Sequence, residues 1–271
     1  MSDTRDLGRT AWGNVDSTPE TAARYLALMM RLLNGIKGRT FELMELKPGM
    51  AALDVGCGAG NDAETMMARV GPSGRVVGID ASQELIAQAM ARTSALAPAL
   101  RFQVDDAQAL SFPDDSFDAA RVDRVLQHLE DPVQAVAEMT RVVKTGGRIA
   151  ALEPDWNSIT LGGADYAVNL AVVRHKVQFD TRNATIGREL HRLLVEAGCR
   201  DVTTETGGVI FGTLQLANTV MSLRHNLDGA VARSWITPPQ AEAWWSRLEE
   251  LDRTGRFFAS MTGVLAGGTV T

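Results

Sequence analysis

The stretch Leu53-Asp54-Val55-Gly56-Cys57-Gly58-Ala59-Gly60-Asn61-Asp62 constrains this chain more than any other. An apolar run that breaks into alternate glycines and then into helix-forming residues describes a strand, a tight turn and a helix. Glycine at every second position leaves backbone N–H groups unshielded and lets a ligand approach the main chain, at the foot of a helix whose free amide ends point outward. A dinucleotide fingerprint G-x-G-x-x-G would need glycine where Asn61 stands. Asp54 and Asp62 would also set negative charge against a pyrophosphate, whereas a ligand bearing an ammonium group would be drawn to them.

The elements around this loop set the fold class. Ala51 to Val55 reads as a strand, Asn61 onward as a helix, Gly71 to Gly74 as a turn, Arg75 to Asp80 as a strand, and Ser82 as the cap of the next helix. The rhythm continues with strand Arg101 to Val104, turn Phe112 to Ser116, strand Phe117 to Val122, helix Pro132 to Val143, turn Lys144 to Gly147 and strand Arg148 to Leu152. Such alternation implies a parallel sheet with right-handed crossovers and helices on both faces. After Leu152 it breaks. Glu153 to Thr185 reads as an insertion with one helix around Val168 to Phe179, followed by a helix through Leu190, Leu193, Leu194 and Ala197 and a strand from Val202 to Phe211. A second insertion follows, with helices over Leu214 to Val231 and Pro238 to Leu251, and the last strand is Phe257 to Leu265.

Two helical patterns precede the sheet, one opened by Pro19-Glu20 with Leu26, Met29, Met30 and Leu33 on one face, the other through Phe41, Leu43 and Leu46 to Pro48-Gly49. The expected architecture is a doubly wound α/β fold: a mostly parallel, seven-stranded Rossmann-like sheet in residues 48–271, with an N-terminal helical cap over 1–47. Insertions at about 153–186 and 212–255 would form a lid, where substrates are enclosed.

Charge and composition narrow the partners. A net charge of −6 with no basic patch argues against nucleic acid. No apolar run approaches the ~18 residues that a membrane span needs, and no apolar leader core follows Met1 to Asp6, so a cytoplasmic protein is expected. Cys57 and Cys199 form neither a metal pattern nor a disulfide framework. No convergent metal set is legible, and His128, His175, His191 and His225 have no G-x-S-x-G partner. Self-association through the apolar N-terminal helices is expected.

Asp80 closes its strand twenty positions beyond Gly60, the distance at which an acidic residue accepts hydrogen bonds from ribose hydroxyls. A strand-end carboxylate could instead cap the next helix, but Ser82 already serves there. Asp105-Asp106-Ala107 follows the third strand, where a carboxylate can accept an exocyclic adenine amine while the Ala107 N–H donates to the ring.

The D-x-G-x-G-x-G pattern of Asp54 to Gly60 resembles motif I of the class I S-adenosylmethionine-dependent methyltransferases. Gly78-Ile79-Asp80 and Asp106-Ala107 follow in the order of that family. The segment from Phe117 to Pro132 resembles motif IV and the following helix of the ubiquinone/menaquinone-biosynthesis methyltransferases. Lys144-Thr145-Gly146-Gly147 resembles their R-P-G-G turn but lacks its proline, which touches turn rigidity more than chemistry. The resemblance runs from about Lys47 to Leu152, and Glu153-Pro154-Asp155-Trp156 looks like a small-molecule subgroup from bacterial specialised metabolism.

The resemblance implies S-adenosyl-L-methionine as cofactor and S-adenosyl-L-homocysteine as product. It implies cofactor contacts from Asp54, Gly56, Cys57, Gly58, Gly60, Asp80, Ala81, Asp106, Ala107, Asp123 and Arg124, with Tyr25 similar to an aromatic that closes over the cofactor. The acceptor implied is a hydrophobic small molecule, methylated on carbon of an isoprenoid or aromatic group, or alternatively on oxygen or nitrogen. A dinucleotide-dependent oxidoreductase and a cofactor-binding protein that transfers no methyl group are readings of other classes.

His128 is the candidate base, since histidine titrates near neutrality; a packed residue beside the cofactor is the other reading. Glu153 either orients substrate and stabilises a cation or caps the insertion, and Arg124 either contacts the cofactor or pairs with Glu153. Trp156, Phe179, Met221 and His225 in the insertions are the substrate-pocket candidates. Trp244 and Trp245, at helical spacing with Leu248 and Leu251, favour core or oligomer contact over a substrate cage.

Overall fold

A computed structural model describes residues 35–96 and 98–271. The first expected helix and Tyr25 lie outside the described residues, as do the self-association surface placed there and most of the expected cap.

Strand β1 (Ala51–Val55) leads through the glycine loop into helix α2 (Asn61–Val70); helix α1, described over 35–43, precedes it. Next come β2 (Arg75–Asp80), α3 (Gln83–Thr93), β3 (Leu100–Val104), β4 (Phe117–Asp123), α4 (Pro132–Val142) and β5 (Val143–Leu161). The chain continues through α5 (Tyr166–His175), α6 (Leu190–Glu196), β6 (Cys199–Phe211), α7 (Leu214–Met221), α8 (Leu223–Ala232), α9 (Pro238–Arg253) and β7 (Ala259–Val270). Among the described residues the sheet has seven strands in the order β3-β2-β1-β4-β5-β7-β6, and the pairings β1·β2, β1·β4, β2·β3 and β4·β5 are parallel. The doubly wound α/β expectation holds.

The chain divides into two compact units. One comprises Gly35–Glu153, Ile186–Thr206 and Val264–Thr271; the described part of the other comprises Pro154–Thr185 and Gly207–Gly263. In the first, successive strand residues point to opposite faces. Leu53, Val55, Ile149 and Ala151 join one core cluster with residues of α4 and α6, while Ala52, Ala150 and Leu152 join another with residues of α1, α2 and α3. A sheet covered on both faces explains why its strands read as nearly continuous apolar runs.

Four local expectations are corrected. The helix through Leu46 stops at residue 43, and Glu45 takes a positive φ of 49°. The turn expected at Lys144 to Gly147 lies within β5. That strand also runs on to Leu161 where a break was expected; Pro154 and two carboxylates disguised it, but Trp156, Ile159 and Thr160 are good strand formers. The expected helix from Leu214 to Val231 is broken at Ser222, whose φ is 55°. The Asn226 side chain donates to the carbonyls of Met221 and Ser222 at 3.2 and 2.9 Å, which stabilises that break.

Candidate functional site

The glycine loop closes by backbone and carboxylate together. The Cys57 N–H donates to the Ile79 carbonyl at 2.8 Å, and the Gly58 N–H donates to Asp80 Oδ2 at 2.9 Å. Asp80 Oδ1 accepts the Ser82 N–H at 2.9 Å, while the Ser82 hydroxyl caps α3 by accepting from the Leu85 N–H. Each Asp80 oxygen keeps a second lone pair, so the half-buried carboxylate can still accept from a pair of vicinal hydroxyls.

Two glycines of the loop serve different ends. Gly56, at φ 70°, would place a Cβ 2.1 Å from Val125 Cγ2, so its missing side chain admits the turn after β4. Gly58, at φ 53°, has nothing within 4 Å of that position, so its missing side chain leaves open space beside the Asp80-bound amide. Cys57 is buried, and burial with Asp54 and Asp80 nearby pushes its thiol far above the usual range, which keeps it protonated.

Behind the loop lies a buried charge cluster that sequence reading missed. In the β1·β4 register Asp54 stands opposite Arg121. The Arg121 guanidinium, 1% exposed, reaches Asp54 Oδ1 at 3.3 Å, Asp62 Oδ2 at 3.0 Å and Asp123 Oδ2 at 2.7 Å. Lys37 Nζ lies 2.6 Å from Asp62 and 3.0 Å from Asp123, and Arg121 Nε donates to the Thr40 hydroxyl at 2.9 Å. Burial opposes ionisation throughout the cluster. For Asp62 and Asp123 the neighbouring cations outweigh it and hold both carboxyls below the ordinary range, but for Asp54 burial wins and its pKa rises to about 7.

This geometry corrects the expectation that Asp54 and Asp62 attract a ligand's ammonium group. Among the described residues their cationic partners are the chain's own Arg121 and Lys37. The legible signal was a cation between apolar neighbours, Ala120 and Val122, in the middle of a strand, where burial demands partners.

The other assigned positions separate by surroundings. Asp105 accepts from the Ser111 N–H and hydroxyl and from Gln103, which makes it a turn residue. Asp106 is exposed and accepts the Gln108 N–H at 2.9 Å; Ala81 is exposed and Ala107 buried. Arg124 pairs through Nε with Asp123 Oδ1 at 3.2 Å, which corrects the expected pairing with Glu153.

Glu153 is fully buried, and its Oε1 accepts the N–H groups of Val125 and Leu126 at 2.8 and 2.7 Å. It therefore anchors the turn after β4 rather than capping the insertion. Burial lifts its pKa to about 8 despite these amides, and its Oε2 has no hydrogen-bond partner among the described residues. His128 is half-buried at the end of that same turn, with its N–H donating to the Val125 carbonyl at 2.9 Å.

In the second unit, Trp156, Phe179 and His225 gather about the turn Lys176–Asp180. Lys176 Nζ sits 4.2 Å over the Trp156 ring and pairs with Asp180, and His225 Nε2 lies 3.5 Å from Asp180 Oδ1. Phe179 stacks on His175 with centroids 5.5 Å apart and lies 5.9 Å from Trp235. The Asn226 amide donates to two carbonyls, so its oxygen accepts and His175 Nδ1 carries the proton of their 2.8 Å bond. Met221 has no exposed surface and is a core residue of α7, which corrects its pocket assignment. Trp244 is 2% exposed and donates to Asn169 at 2.7 Å, a core tryptophan.

No described group of three or more His, Cys, Asp or Glu side chains is placed to hold a metal ion. No helix among the described residues is long and apolar enough to cross a membrane.

Among comparisons with known proteins, the family match falls within the glycine-loop unit. The family model described as "Methyltransferase domain" matches residues 53–151. A 37.1 kDa uncharacterized protein of a Streptomyces fradiae transposon is 39% identical over 246 residues, covering 91% of this chain and 67% of that protein. A demethylmenaquinone methyltransferase of Staphylococcus aureus is 30% identical over 187 residues, covering 63% of this chain and 77% of that one. The chain spans only 48 and 53% of two other demethylmenaquinone methyltransferases that it matches. Among solved structures, the Bacillus subtilis YcgJ protein superposes with a TM-score of 0.60 at 20% identity, over 86% of this chain and 97% of that one, a likeness of fold.

Proposed function

From the premise that this chain belongs to the class I S-adenosylmethionine-dependent methyltransferases, of quinone C-methyltransferase-like type, we propose that it methylates carbon in a hydrophobic small molecule. The acceptor is an isoprenoid or aromatic compound of specialised metabolism. The observation that carries the cofactor's placement is the open space at Gly58 beside the amide held by Asp80.

S-adenosylmethionine supplies a methyl group on a positively charged sulfonium, open to in-line attack by an electron-rich atom. The residues fit that group. Gly58 leaves room for close approach to the main chain, Asp80 retains acceptor capacity for ribose hydroxyls, and Asp106 at the β3 edge is exposed to meet an exocyclic amine. Arg121 and Lys37 neutralise the carboxylates behind the loop, and Glu153 holds the turn that carries His128. With Asp54, Asp62 and Asp123 engaged by the chain's own cations, positioning and water exclusion do most of the catalytic work. His128 acts as a positioning residue.

The test is calorimetric titration of wild type and Asp80→Ala with S-adenosylhomocysteine. Micromolar binding, weakened by ~1–3 kcal/mol in the variant, is expected. Binding of NADH in its place would overturn the reading. Replacement of His128 by Gln separates the acceptor atoms: activity within about tenfold of wild type fits carbon, while a loss of several orders with a titration near neutrality would establish oxygen or nitrogen.

A further inference from the structure

We propose that the second unit binds an organic anion with an apolar body through Arg174 and Arg233, where these stack on Trp235 and Phe179. The ligand bears a carboxylate or a phosphate ester.

The Arg174 guanidinium carbon lies 4.0 Å from the Trp235 ring centroid and that of Arg233 lies 3.6 Å from the Phe179 centroid, on rings 5.9 Å apart. A guanidinium seated over a ring face is restrained there by cation–π attraction and still has N–H groups to donate to an oxyanion. Among the described residues neither arginine has a carboxylate partner. Arg174 Nε donates to Gln178 Oε1 at 3.2 Å, and Arg233 Nη1 reaches the Gly229 carbonyl at 3.5 Å.

The neighbouring carboxylates are engaged elsewhere, Asp180 with Lys176 and His225, and Asp228 with Arg224 at 3.3 Å. Lys176, buried in the same unit, is matched by a carboxylate, and the two stacked arginines are not. Phe179, 39% exposed, adds apolar surface beside the cations. Two fixed, unmatched cations next to exposed ring surface suit a ligand that brings its own charge and an apolar tail.

Calorimetry on the full chain tests this with octanoate, octyl phosphate and 1-octanol, on wild type and on the Arg174→Gln/Arg233→Gln double variant, with S-adenosylhomocysteine titrated in parallel. At least one anion is expected to bind about tenfold or more tighter than octanol, with the advantage lost in the double variant and reduced by salt. The better anion identifies carboxylate or phosphate ester. The double variant should keep its thermal midpoint and its affinity for S-adenosylhomocysteine. Equal binding of octanol, equal binding of the anions to the double variant, or no saturable binding of any probe would overturn the site.

Discussion

Charge is handled in opposite ways by the two units. Behind the glycine loop, Arg121 and Lys37 are buried and matched by Asp54, Asp62 and Asp123, all brought together within one unit. In the second unit, Arg174 and Arg233 lie exposed on aromatic rings without a carboxylate among the described residues. A buried charge must find its partners inside the protein or not ionise, and so it becomes part of the structure. An exposed charge is solvated whether matched or not and remains available to a ligand. The contrast separates charges that shape the glycine loop from those left available to a ligand.

Four measurements would sharpen or break it. Arg121→Met should cost about 3–5 kcal/mol of unfolding free energy in urea titration, because it strands buried carboxylates; a cost below about 1 kcal/mol would mean that the cluster is not energetically structural.

Next is the pH dependence of Glu153, read against Glu153→Gln, which keeps an oxygen to accept the two amides. The folded-state value near 8 lies above the ordinary 4.5, so the folded protein retains a proton that the unfolded chain releases. Wild-type stability relative to the variant should therefore fall as pH rises from about 4.5 to 8, by up to about 1.4 kcal/mol per pH unit, and level off above. A flat difference would contradict the burial argument. Asp54 acts in the same direction, while the lowered Asp62 and Asp123 add stability above the ordinary aspartate range that is lost on acidification.

Smaller is the loss of a helix cap. Thr237 accepts the Gln240 N–H and completes a capping box on α9, so Thr237→Ala should lower stability by about 1 kcal/mol. A cost near zero in urea titration would mean that the box does not hold the start of this helix. Smallest of all, Arg174→Gln and Arg233→Gln should leave the thermal midpoint unmoved; a clear fall would place these arginines with the structural charges instead.

Short-range signals were readable in the chain. Alternation of apolar runs and turns located β1 and β2 to the residue, glycine spacing marked the loop, and Ser82 was correctly read as a helix cap because its partner is three residues away. The continuation of β5 past Glu153 was hidden because Pro154 and the adjacent carboxylates look like a break, whereas strand pairing overrides local propensity. The Met221 assignment failed because methionine suits a pocket and a core equally well, and only packing distinguishes them.

The sequence by itself determined the βα order, the glycine cradle and the carboxylate at the end of β2, since these depend on residues close together in the chain. The tertiary structure alone decided that Arg121 faces Asp54 across a strand pair, that Glu153 anchors the turn after β4, and that Arg174 and Arg233 come to rest on Trp235 and Phe179. Those partners are separated by 67 residues in the first case and by 54 or more in the ring-stacked pairs. Strand register and helix packing determine which distant side chains meet, and no local pattern records that choice.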